Sequence, residues 1–459
     1  MAFKTSQFAF GVSIIGLCAM LFLTGCGGGG GNSSGGGPTP PGTANEWTWM
    51  SGSDTANALG VYGTKGTAST GNIPGARTGS VSWVDSSGNL WLFGGSAFND
   101  LWEFNPTAKT WTWVSGSSTA GAAGVYGTKG IASANNVPGG RDSAVGWTDK
   151  AGNLWLFGGS AFNDLWEFSP TNNEWTWMSG SDTTNAPGIY GTLGVASASH
   201  VPGARSNSVS WTDASGNFWL FGGSGNDSTG TSGLLNDLWK FSPISKTWTW
   251  VSGGSRANAV GIYGTQGIAS ANNVPGGRSG SVSWTDSSGN LWLFGGSSSL
   301  FISSLNDLWE FNPAAKTWTW VSGSSTPNVI VGVYGTQGVA ANNNVPGSRC
   351  LAVSWTDSSG NLWLFGGQGY DSTGTENGDL NDLWKFNLTS KEWTWVDGSS
   401  TLGTQEGPPG VYGTLGVPAA NNVPGGRDSA VSWTDSNGNF WLFGGESAEF
   451  FNDLWRYQP

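Results

Sequence analysis

The chain repeats one pattern of hydrophobic and polar positions six times. Each copy contains a short alternating segment that ends near a Trp, a continuous apolar segment Leu/Phe-Trp-Leu-Phe, an Asn-Asp-Leu-Trp segment and a Trp-Thr-Trp segment. Alternation with a period of two predicts half-buried strands, and a continuous apolar run predicts a strand buried on both faces. Because no copy shows helical periodicity over ten residues, we predict four short antiparallel strands per copy, named a to d.

The second copy illustrates the predicted strands and turns. Strand a is predicted at 143–147 and strand b at 154–157, on either side of the turn-forming residues 149–153. Strand c is predicted at 163–168 and strand d at 175–177. A four-stranded antiparallel sheet with tight turns is one blade of a propeller, so the six copies predict an all-β, six-bladed β-propeller of four-stranded blades.

The two ends of the repeat are offset by one strand. The first Trp-Thr-Trp begins at Trp47 and has no copy before it, whereas the last copy stops after Trp455 without a Trp-Thr-Trp. We therefore predict that Trp47, Thr48 and Trp49 supply strand d of the last blade and pair with 453–457. This pairing would close the ring and remove an open sheet edge, whereas an open array would need distinct capping copies.

The order of the motifs resembles the kelch repeat. A Gly-Gly pair, an Asn-Asp-x-Trp, a Trp about nine residues later and an Arg before strand a recur from residue 47 to residue 459. The same pattern is similar to the central propeller domain of galactose oxidase. Consecutive Gly-Gly pairs, at 94, 158, 222, 295, 366 and 444, are 64 to 78 residues apart, against ~50 residues in kelch repeats. The excess lies between strands d and a, where every copy carries Gly-Val/Ile-Tyr-Gly-Thr.

The N-terminal segment predicts export and lipid attachment. An apolar run at 8–23 is short for a membrane span and typical of a signal peptide. The tetrapeptide Leu-Thr-Gly-Cys at 23–26 resembles a bacterial lipobox, in which Cys26 would be diacylated and become the new N-terminus. The alternative is an ordinary secretory signal in which Cys26 is incidental. The predicted division is a lipoprotein signal peptide at 1–25, a Gly/Ser/Pro-rich tether at 26–45 and the propeller at 46–459.

A lipid anchor predicts a location in the cell envelope. Two acyl chains are enough for stable attachment, so the protein would contact the membrane through its lipid alone. The residue after Cys26 is Gly27 and not Asp, which in a Gram-negative cell would direct a lipoprotein to the outer membrane.

Charge and cysteine content narrow the possible partners. The chain has 18 basic and 30 acidic residues, a net charge of −12, and no basic cluster. An acidic surface gives no electrostatic basis for binding nucleic acid. Cys350 is the only cysteine after Cys26, so we predict no disulfide within the propeller and interpret Cys350 as a buried side chain rather than a reactive thiol. We expect a monomer without a cofactor or a metal ion.

The connections between strands indicate a binding face. The b–c and d–a connections lie on one face of a propeller, here called the long-loop face, and the nearly identical a–b and c–d turns lie on the opposite, short-turn face. Between Gly-Gly and Asn-Asp there are three residues in the first two copies, then twelve (224–235), nine (297–305), thirteen (368–380) and six (446–451). Because length variation on one face of a scaffold is typical of recognition, we predict that a protein or glycan binds the long-loop face, chiefly at copies three to five.

Two side chains that recur once per copy are candidate ligand contacts on this face. An Arg precedes strand a and could form a cationic collar for an anionic ligand. Alternatively, each Arg pairs with a carboxylate or with backbone carbonyls, and repetition in every copy favours this structural alternative. A Tyr in each d–a segment either contacts a sugar or anchors the segment as a plug. The arginines are Arg77, Arg141, Arg205, Arg278, Arg349 and Arg427, and the tyrosines are Tyr62, Tyr126, Tyr190, Tyr263, Tyr334 and Tyr412.

The longest b–c connections add candidate ligand contacts that do not repeat. These residues are Asn226, Asp227, Tyr370, Asp371 and Glu376. The segments around Asp227 and Asp371 are rich in oxygen-bearing side chains that suit Ca²⁺, but neither contains a complete calcium loop. We therefore predict that they contact the ligand without a metal ion.

Catalysis has weaker support than binding. His200 is the one histidine, too few for the copper centre that a resemblance to galactose oxidase would imply. The segment 149–155 resembles a sialidase Asp box, but its Asp-to-Gly spacing is one residue too long and every copy has it, which indicates a turn. A glycosidase needs a carboxylate pair, which Asp371, Glu376 and Asp379 could supply.

We therefore predict a non-enzymatic binding or adhesion protein without catalytic residues. The alternative is a carbohydrate-active enzyme, a hydrolase, epimerase or oxidase-like protein, on the same scaffold. Titratable side chains that converge in one pocket on the long-loop face would favour the enzyme.

Overall fold

The computed structural model describes residues 44–299, 303–326 and 330–459. The predicted signal peptide, Cys26 and the tether up to residue 43 lie outside the described residues. Within the described ranges, no helix has the length and apolar character needed to cross a membrane.

Six antiparallel sheets form the six blades of a propeller, as predicted. Strand β1 is Glu46–Ser51. Blade one contains β2 (Val81–Val84), β3 (Leu90–Phe93), β4 (Leu101–Asn105) and β5 (Thr110–Ser115), and blade two contains β6 (Val145–Thr148), β7 (Leu154–Phe157), β8 (Leu165–Ser169) and β9 (Glu174–Ser179). Blade three contains β10 (Ala196–Ser197), β11 (Arg205–Ser206), β12 (Val209–Thr212), β13 (Phe218–Asn226), β14 (Ser232–Ser242) and β15 (Thr247–Ser252).

The remaining blades follow the same order. Blade four contains β16 (Val282–Thr285), β17 (Leu291–Ser299), β18 (Ser303–Asn312) and β19 (Thr317–Ser322). Blade five contains β20 (Arg349–Cys350), β21 (Val353–Thr356), β22 (Leu362–Tyr370), β23 (Asn377–Asn387) and β24 (Glu392–Asp397). Blade six contains β25 (Val431–Thr434), β26 (Phe440–Phe443) and β27 (Leu454–Gln458), and β1 completes it.

The strands of the second copy differ slightly from their predicted bounds. Strand b is confirmed as Leu154–Phe157. Strand a begins at Val145 and not at Ser143, because Ser143 has a φ of 55° and turns the chain before the strand. Strand c begins at Leu165 because its pairing with strand b ends where Leu165 lies opposite Phe157. Strand d is longer than predicted and spans Glu174–Ser179.

The predicted ring closure is confirmed. In blade six, Trp47 lies opposite Tyr457, Thr48 opposite Arg456 and Trp49 opposite Trp455. The innermost strand of every blade also bonds to the next blade, because its Trp donates the indole N–H to a backbone carbonyl of that blade. These pairs are Trp83 to Trp155, Trp147 to Trp219, Trp211 to Trp292, Trp284 to Trp363, Trp355 to Trp441 and Trp433 to Trp91.

Aromatic side chains fill the spaces between neighbouring blades. At the interface of blades five and six, the Trp47 ring centroid lies 5.4 Å from that of Phe365 and 5.0 Å from that of Tyr457. Such pairs add about 0.5–1.5 kcal/mol each beyond the burial of their area. The first Trp of each Trp-Thr-Trp is only 0–2% exposed, and these residues are Trp47, Trp111, Trp175, Trp248, Trp318 and Trp393.

The long d–a segments cover the outer strands of the blades. In blade one, Ser69 pairs with Trp111 of β5, and the Asn72 Nδ2 donates to the Trp111 carbonyl at 3.1 Å. An Asn at 136, 273, 344 and 422 makes the same contact in four other blades. The segments therefore cover strand edges that would otherwise be open. This role accounts for the extra residues that make each copy longer than a kelch repeat.

In blade three, the place of this Asn is taken by His200. The side chain is buried, at 8% exposed, and not on the surface as its position on a d–a connection suggested. Its Nδ1 has no hydrogen-bond partner among the described residues.

The longest b–c connections are mostly hairpins and not loops. β13 and β14 continue to pair beyond the Gly-Gly of blade three, up to Asn226 opposite Ser232. β22 and β23 do the same in blade five, up to Tyr370 opposite Asn377. β17 and β18 form the shorter hairpin of blade four, whose tip at 300–302 lies outside the described residues. The sequence-based view of these segments as loops is therefore corrected, because the strands resume after a bulge at each Gly-Gly.

Candidate functional site

The six arginines form buried ion pairs with the Asp of Asn-Asp-Leu-Trp. Both terminal nitrogens of Arg77 bond to Asp100, at 2.7 and 2.8 Å, and Nη1 and Nε also donate to the carbonyls of Gly94 and Gly75. All six arginine side chains are at most 1% exposed. The other pairs are Arg141–Asp164, Arg205–Asp237, Arg278–Asp307, Arg349–Asp382 and Arg427–Asp453.

This geometry matches the structural alternative for the arginines. The bidentate contact with a carboxylate occupies the guanidinium N–H groups that a ligand anion would need. Because the arginine side chains are buried, a ligand also cannot reach them. A cationic collar open to a ligand therefore does not exist at these positions.

The recurring tyrosines belong to the same clusters. The Tyr62 hydroxyl donates to Asp100 Oδ2 at 2.6 Å, and the Trp102 indole donates to the same oxygen at 2.7 Å. Burial, together with the charge of Asp100, raises the pKa of Tyr62 well above its usual value. The equivalent hydroxyls donate to the equivalent carboxylates in the other five blades. The tyrosines thus anchor the d–a segments.

The Asp box-like segments are turns, as expected. Asp149 Oδ1 accepts the backbone N–H groups of Ala151 and Asn153, and Asp149 Oδ2 accepts the indole N–H of Trp155 at 3.0 Å. An Asp in every other a–b turn accepts the equivalent Trp N–H.

The hairpin of blade three is closed by Asp227. Its Oδ1 accepts hydrogen bonds from the Thr229 N–H, the Thr229 hydroxyl and the Thr231 N–H, and its Oδ2 accepts one from Ala257 N–H. Burial alone would raise the pKa of Asp227, but these hydrogen bonds hold it at about 2. Asn226 is also buried and donates to the Asn185 carbonyl.

Asp371 closes the hairpin of blade five in the same way. It accepts the N–H groups of Thr373, Gly374 and Leu402. Both hairpin carboxylates are committed to donors of the protein. No group of three or more His, Cys, Asp or Glu side chains suited to a metal ion occurs in the described ranges.

The other hairpin candidates lie beside Asp371. Tyr370 is half-buried at the end of β22, and Glu376 is exposed at the tip. Asn226 and Asp227 lie on blade three, with blade four in between. The structure therefore brings Tyr370, Asp371 and Glu376 together and keeps the blade-three pair separate.

A second group of side chains lies at the axis, on the long-loop face. In each blade, the residue after the Arg lies opposite the residue after Gly-Gly. In blade six, for example, the backbones of Asp428 and Glu446 exchange two hydrogen bonds, of 2.9 and 3.0 Å. The next two positions along the chain, in all six blades, line an axial cavity of about 130 Å³. The facing pairs are Thr78/Ser96, Asp142/Ser160, Ser206/Ser224, Ser279/Ser297, Cys350/Gln368 and Asp428/Glu446.

The entrance to this cavity, here called the axial mouth, is acidic on one side. Its members are Asp142, Asp379, Asp428 and Glu446, whose charges affect one another. Asp379 and Asp428 are each 6% exposed. One oxygen of each, Oδ1, has no hydrogen-bond partner among the described residues. An unpartnered buried carboxylate is costly, so its retention here points to a role outside the packing of the fold.

Three acids of the axial mouth, Asp379, Asp428 and Glu446, have raised pKa values. Burial, with the charge of Glu446, raises the pKa of Asp379 to about 7. Burial also raises the pKa of Asp428 to about 7, although a hydrogen bond from Ser429 opposes the shift. Glu446 likewise has a raised pKa because it is buried, although the Thr78 hydroxyl donates to its Oε1 at 3.3 Å. The axial mouth can therefore hold or release protons, or attract a cationic or hydroxyl-bearing group.

Cys350 lies at the same mouth, and its thiol is held in the protonated form. Burial and the neighbouring charges of Asp428 and Asp379 raise the pKa of the thiol to about 12, so it stays protonated near neutral pH. The thiol is free and buried, as the sequence predicted.

Sequence reasoning named Asp379 but missed Asp142, Asp428 and Glu446. The available signal was a break in the repeat, because the residue after the Arg reads Thr, Asp, Ser, Ser, Cys, Asp in the six copies and the residue after Gly-Gly reads Ser, Ser, Ser, Ser, Gln, Glu.

Comparisons with known proteins define the fold alone. No protein-family model matches the sequence, and no curated protein sequence matches it. One similar solved structure is that of YjhT, at 16% sequence identity and a TM-score of 0.51, covering 83% of this chain and 95% of that chain. At this identity, the similarity supports a propeller scaffold and carries no statement about ligand or activity.

Proposed function

We propose that the protein is a non-enzymatic binding propeller of the kelch type, held in the cell envelope by a lipid on Cys26. It recognises a protein or glycan through its long-loop face. The observation that carries this proposal is that the differences between blades lie on the long-loop face. The hairpins of blades three to five and the acids of the axial mouth depart from the sixfold pattern. An asymmetric ligand can be recognised only by residues that differ between blades.

Hairpin trimming tests the proposed binding face. The full chain is first screened against glycans and envelope proteins. In the variant, 224–235, 297–305 and 368–380 are each replaced by the three-residue connection Ser-Ala-Phe that blades one and two use. The fold should persist because two native blades have this form, and affinity for the ligand should fall by more than about tenfold.

The matched control changes the opposite face. Thr107→Ala alters an exposed residue of a c–d turn and should leave both folding and affinity unchanged. Undiminished affinity in the trimmed protein, with an unchanged melting temperature, would refute the assignment of the binding face.

The anchor is tested separately. Cys26→Ser should abolish labelling with a radioactive fatty acid and release the protein from membranes. Cys18→Ser, within the predicted signal peptide, should leave the labelling intact. A Cys26→Ser protein that stays in the membrane fraction would show that the attachment is not a lipid on Cys26.

A carbohydrate-active enzyme is the second candidate, and one observation favours it. Asp379 and Asp428 converge on the long-loop face with pKa values of about 7, so that near neutral pH one can hold a proton while the other is ionised. Such a pair can act as general acid and general base on a glycosidic bond.

Turnover of the glycan found in the screen separates the two candidates. If the protein is an enzyme, Asp379→Asn or Asp428→Asn should lower turnover by about 10²–10⁴-fold with little change in affinity. Thr107→Ala, on the opposite face, should leave turnover unchanged. Binding without turnover by the full chain would eliminate the enzyme.

A further inference from the structure

A cleft between blades three and four lies away from the long-loop face. It has a volume of about 510 Å³ and is lined by the a–b turns of both blades, the c–d turn of blade four and the outer part of blade three. This volume falls within the ~300–1,000 Å³ range of small-molecule sites.

The charge pattern of this interface differs from that of its neighbours. The residue after Asn-Asp-Leu-Trp is Glu in blades one, two and four, but Lys240 in blade three. In the flanking interfaces, this Glu faces the c–d turn Lys of the next blade: the charge of Lys246 lowers the pKa of Glu167, and that of Lys391 lowers the pKa of Glu310, against the stronger effect of burial. In the cleft, Lys240 of blade three and Lys316 of blade four both line the wall.

The two lysines lack a carboxylate partner. Among the described residues, the ion pairs are the six Arg–Asp pairs, so neither Lys240 nor Lys316 takes part in one. Two cations without a carboxylate partner thus line one cleft of a chain with a net charge of −12.

The one carboxylate that lines the cleft is committed elsewhere. Asp213 Oδ1 accepts the Asn217 N–H at 2.9 Å, and Asp213 Oδ2 accepts the Trp219 indole N–H and the Asn217 Nδ2, both at 2.9 Å. The cleft therefore presents an excess of positive charge to a ligand.

The wall also offers an open acceptor. In blades one, four and five, an Asn at the end of strand c donates to the Oδ1 of the a–b turn Asn. Blade three has Ser242 at that place, and no described residue donates to the Asn217 Oδ1. A ligand hydroxyl can occupy this position.

We propose that the cleft binds a carboxylate-bearing sugar, such as a uronic acid residue. The ammonium groups of Lys240 and Lys316 hold the carboxylate, and Asn217 accepts a hydrogen bond from a ring hydroxyl. The site is distinct from the long-loop face and does not depend on its ligand.

Calorimetric titration of the full chain with glucuronate tests this site, with glucose as the neutral counterpart and inorganic phosphate as a simple anion. Glucuronate should bind, more weakly at higher ionic strength, and glucose and phosphate should bind at least about tenfold more weakly. Absence of glucuronate binding, or equal binding of glucose or phosphate, would overturn the proposal.

Charge reversal identifies the residues. Lys240→Glu recreates the Glu–Lys arrangement of the flanking interfaces, so the fold should tolerate it, and glucuronate affinity should fall by about tenfold or more. Lys385→Glu makes the same change at the equivalent position of blade five, outside the cleft, and should leave the affinity unchanged. Equal affinity of the Lys240→Glu protein, or an equal loss in both variants, would contradict the assignment.

Discussion

Two buried carboxylates on the same strand, Asp382 and Asp379 of β23, have opposite surroundings. Asp382 is 0% exposed and accepts hydrogen bonds from Arg349, Tyr334 and Trp384. Asp379, three residues earlier, is also buried, but its Oδ1 has no partner among the described residues and its pKa is raised to about 7. The first acid recurs in every blade, and the second occurs in one.

The difference separates structural from functional candidates. A residue repeated in all six blades meets the same need for packing in each, and here its hydrogen bonds are saturated. A residue that breaks the repeat and keeps unsatisfied polar atoms is not explained by packing. Asp379 and Asp428 of the axial mouth belong to this second group. The hairpins of blades three to five also break the repeat, although their carboxylates are satisfied.

The largest effect is expected from removing the strand that completes the repeated structure. Deletion of residues 45–52 exposes the edge of β27 and removes Trp47 from the interface of blades five and six. Unfolding in urea should show a loss of more than about 4 kcal/mol, the range for removal of a buried Trp. Deletion of 30–37 in the predicted tether serves as the control, and equal melting of both proteins would refute the closure.

Breaking one repeated ion pair should have the next largest effect. Arg349→Ala leaves Asp382 buried without its cation, so the free energy of unfolding should fall by about 3–5 kcal/mol. Arg256→Ala, which removes an exposed contact to Thr229, should change it by less than about 0.5 kcal/mol. Similar stabilities for the two variants would show that the repeated pair is not structural.

The unpaired acids should make stability depend on pH. The pKa of about 7 for Asp379 and Asp428 in the folded protein lies above the ~3.9 of an unfolded Asp. Their contribution is therefore fully present below about pH 4 and is lost as the pH rises through about 7.

Neutral variants should remove this dependence. Asp379→Asn combined with Asp428→Asn should be more stable than the unaltered protein at about pH 8, on the order of 1–2 kcal/mol. Denaturation curves at about pH 5 and pH 8 measure the change. If the unaltered protein is as stable at the higher pH as at the lower one, the folded state does not raise the pKa values of these two acids.

Restoring the repeat should have the smallest effect. His200→Asn places in blade three the Asn that donates to the outer strand in the other five blades. The gain should be about 0.5–1 kcal/mol, the value of a net hydrogen bond. The reverse change Asn136→His should cost a similar amount, and thermal unfolding that ranks the two variants otherwise would contradict the equivalence.

Repetition made the fold predictable from sequence. The offset between Trp47 and Trp455 indicated the closure, and the strand patterns predicted the four main strands of every blade, although not the hairpin extensions of blades three to five. The structural role of the arginines could also be predicted. An Arg that recurs in all six copies, such as Arg77, has an Asp that also recurs, such as Asp100, as its partner.

The axial mouth was less predictable because it depends on register. Asp379 lies near the axis because β22 and β23 continue to pair beyond Gly-Gly. The segment 368–380 is longer than its equivalents, so aligning the copies by sequence does not reveal the position of Asp379. Asp428 stands 49 residues further along (428 − 379). The two acids become neighbours because the segment that leads into blade six packs on β23, where the Arg427 N–H donates to the Leu380 carbonyl at 3.1 Å.

Hydrogen exchange with and without the ligand from the screen tests most directly whether the departures from the repeat form the binding surface. Slower exchange is predicted in 224–235, 368–380 and 446–451, with no change in the a–b turn 149–153. Protection confined to the short-turn face, with the hairpins and the axial mouth unaffected, would contradict the proposed binding face.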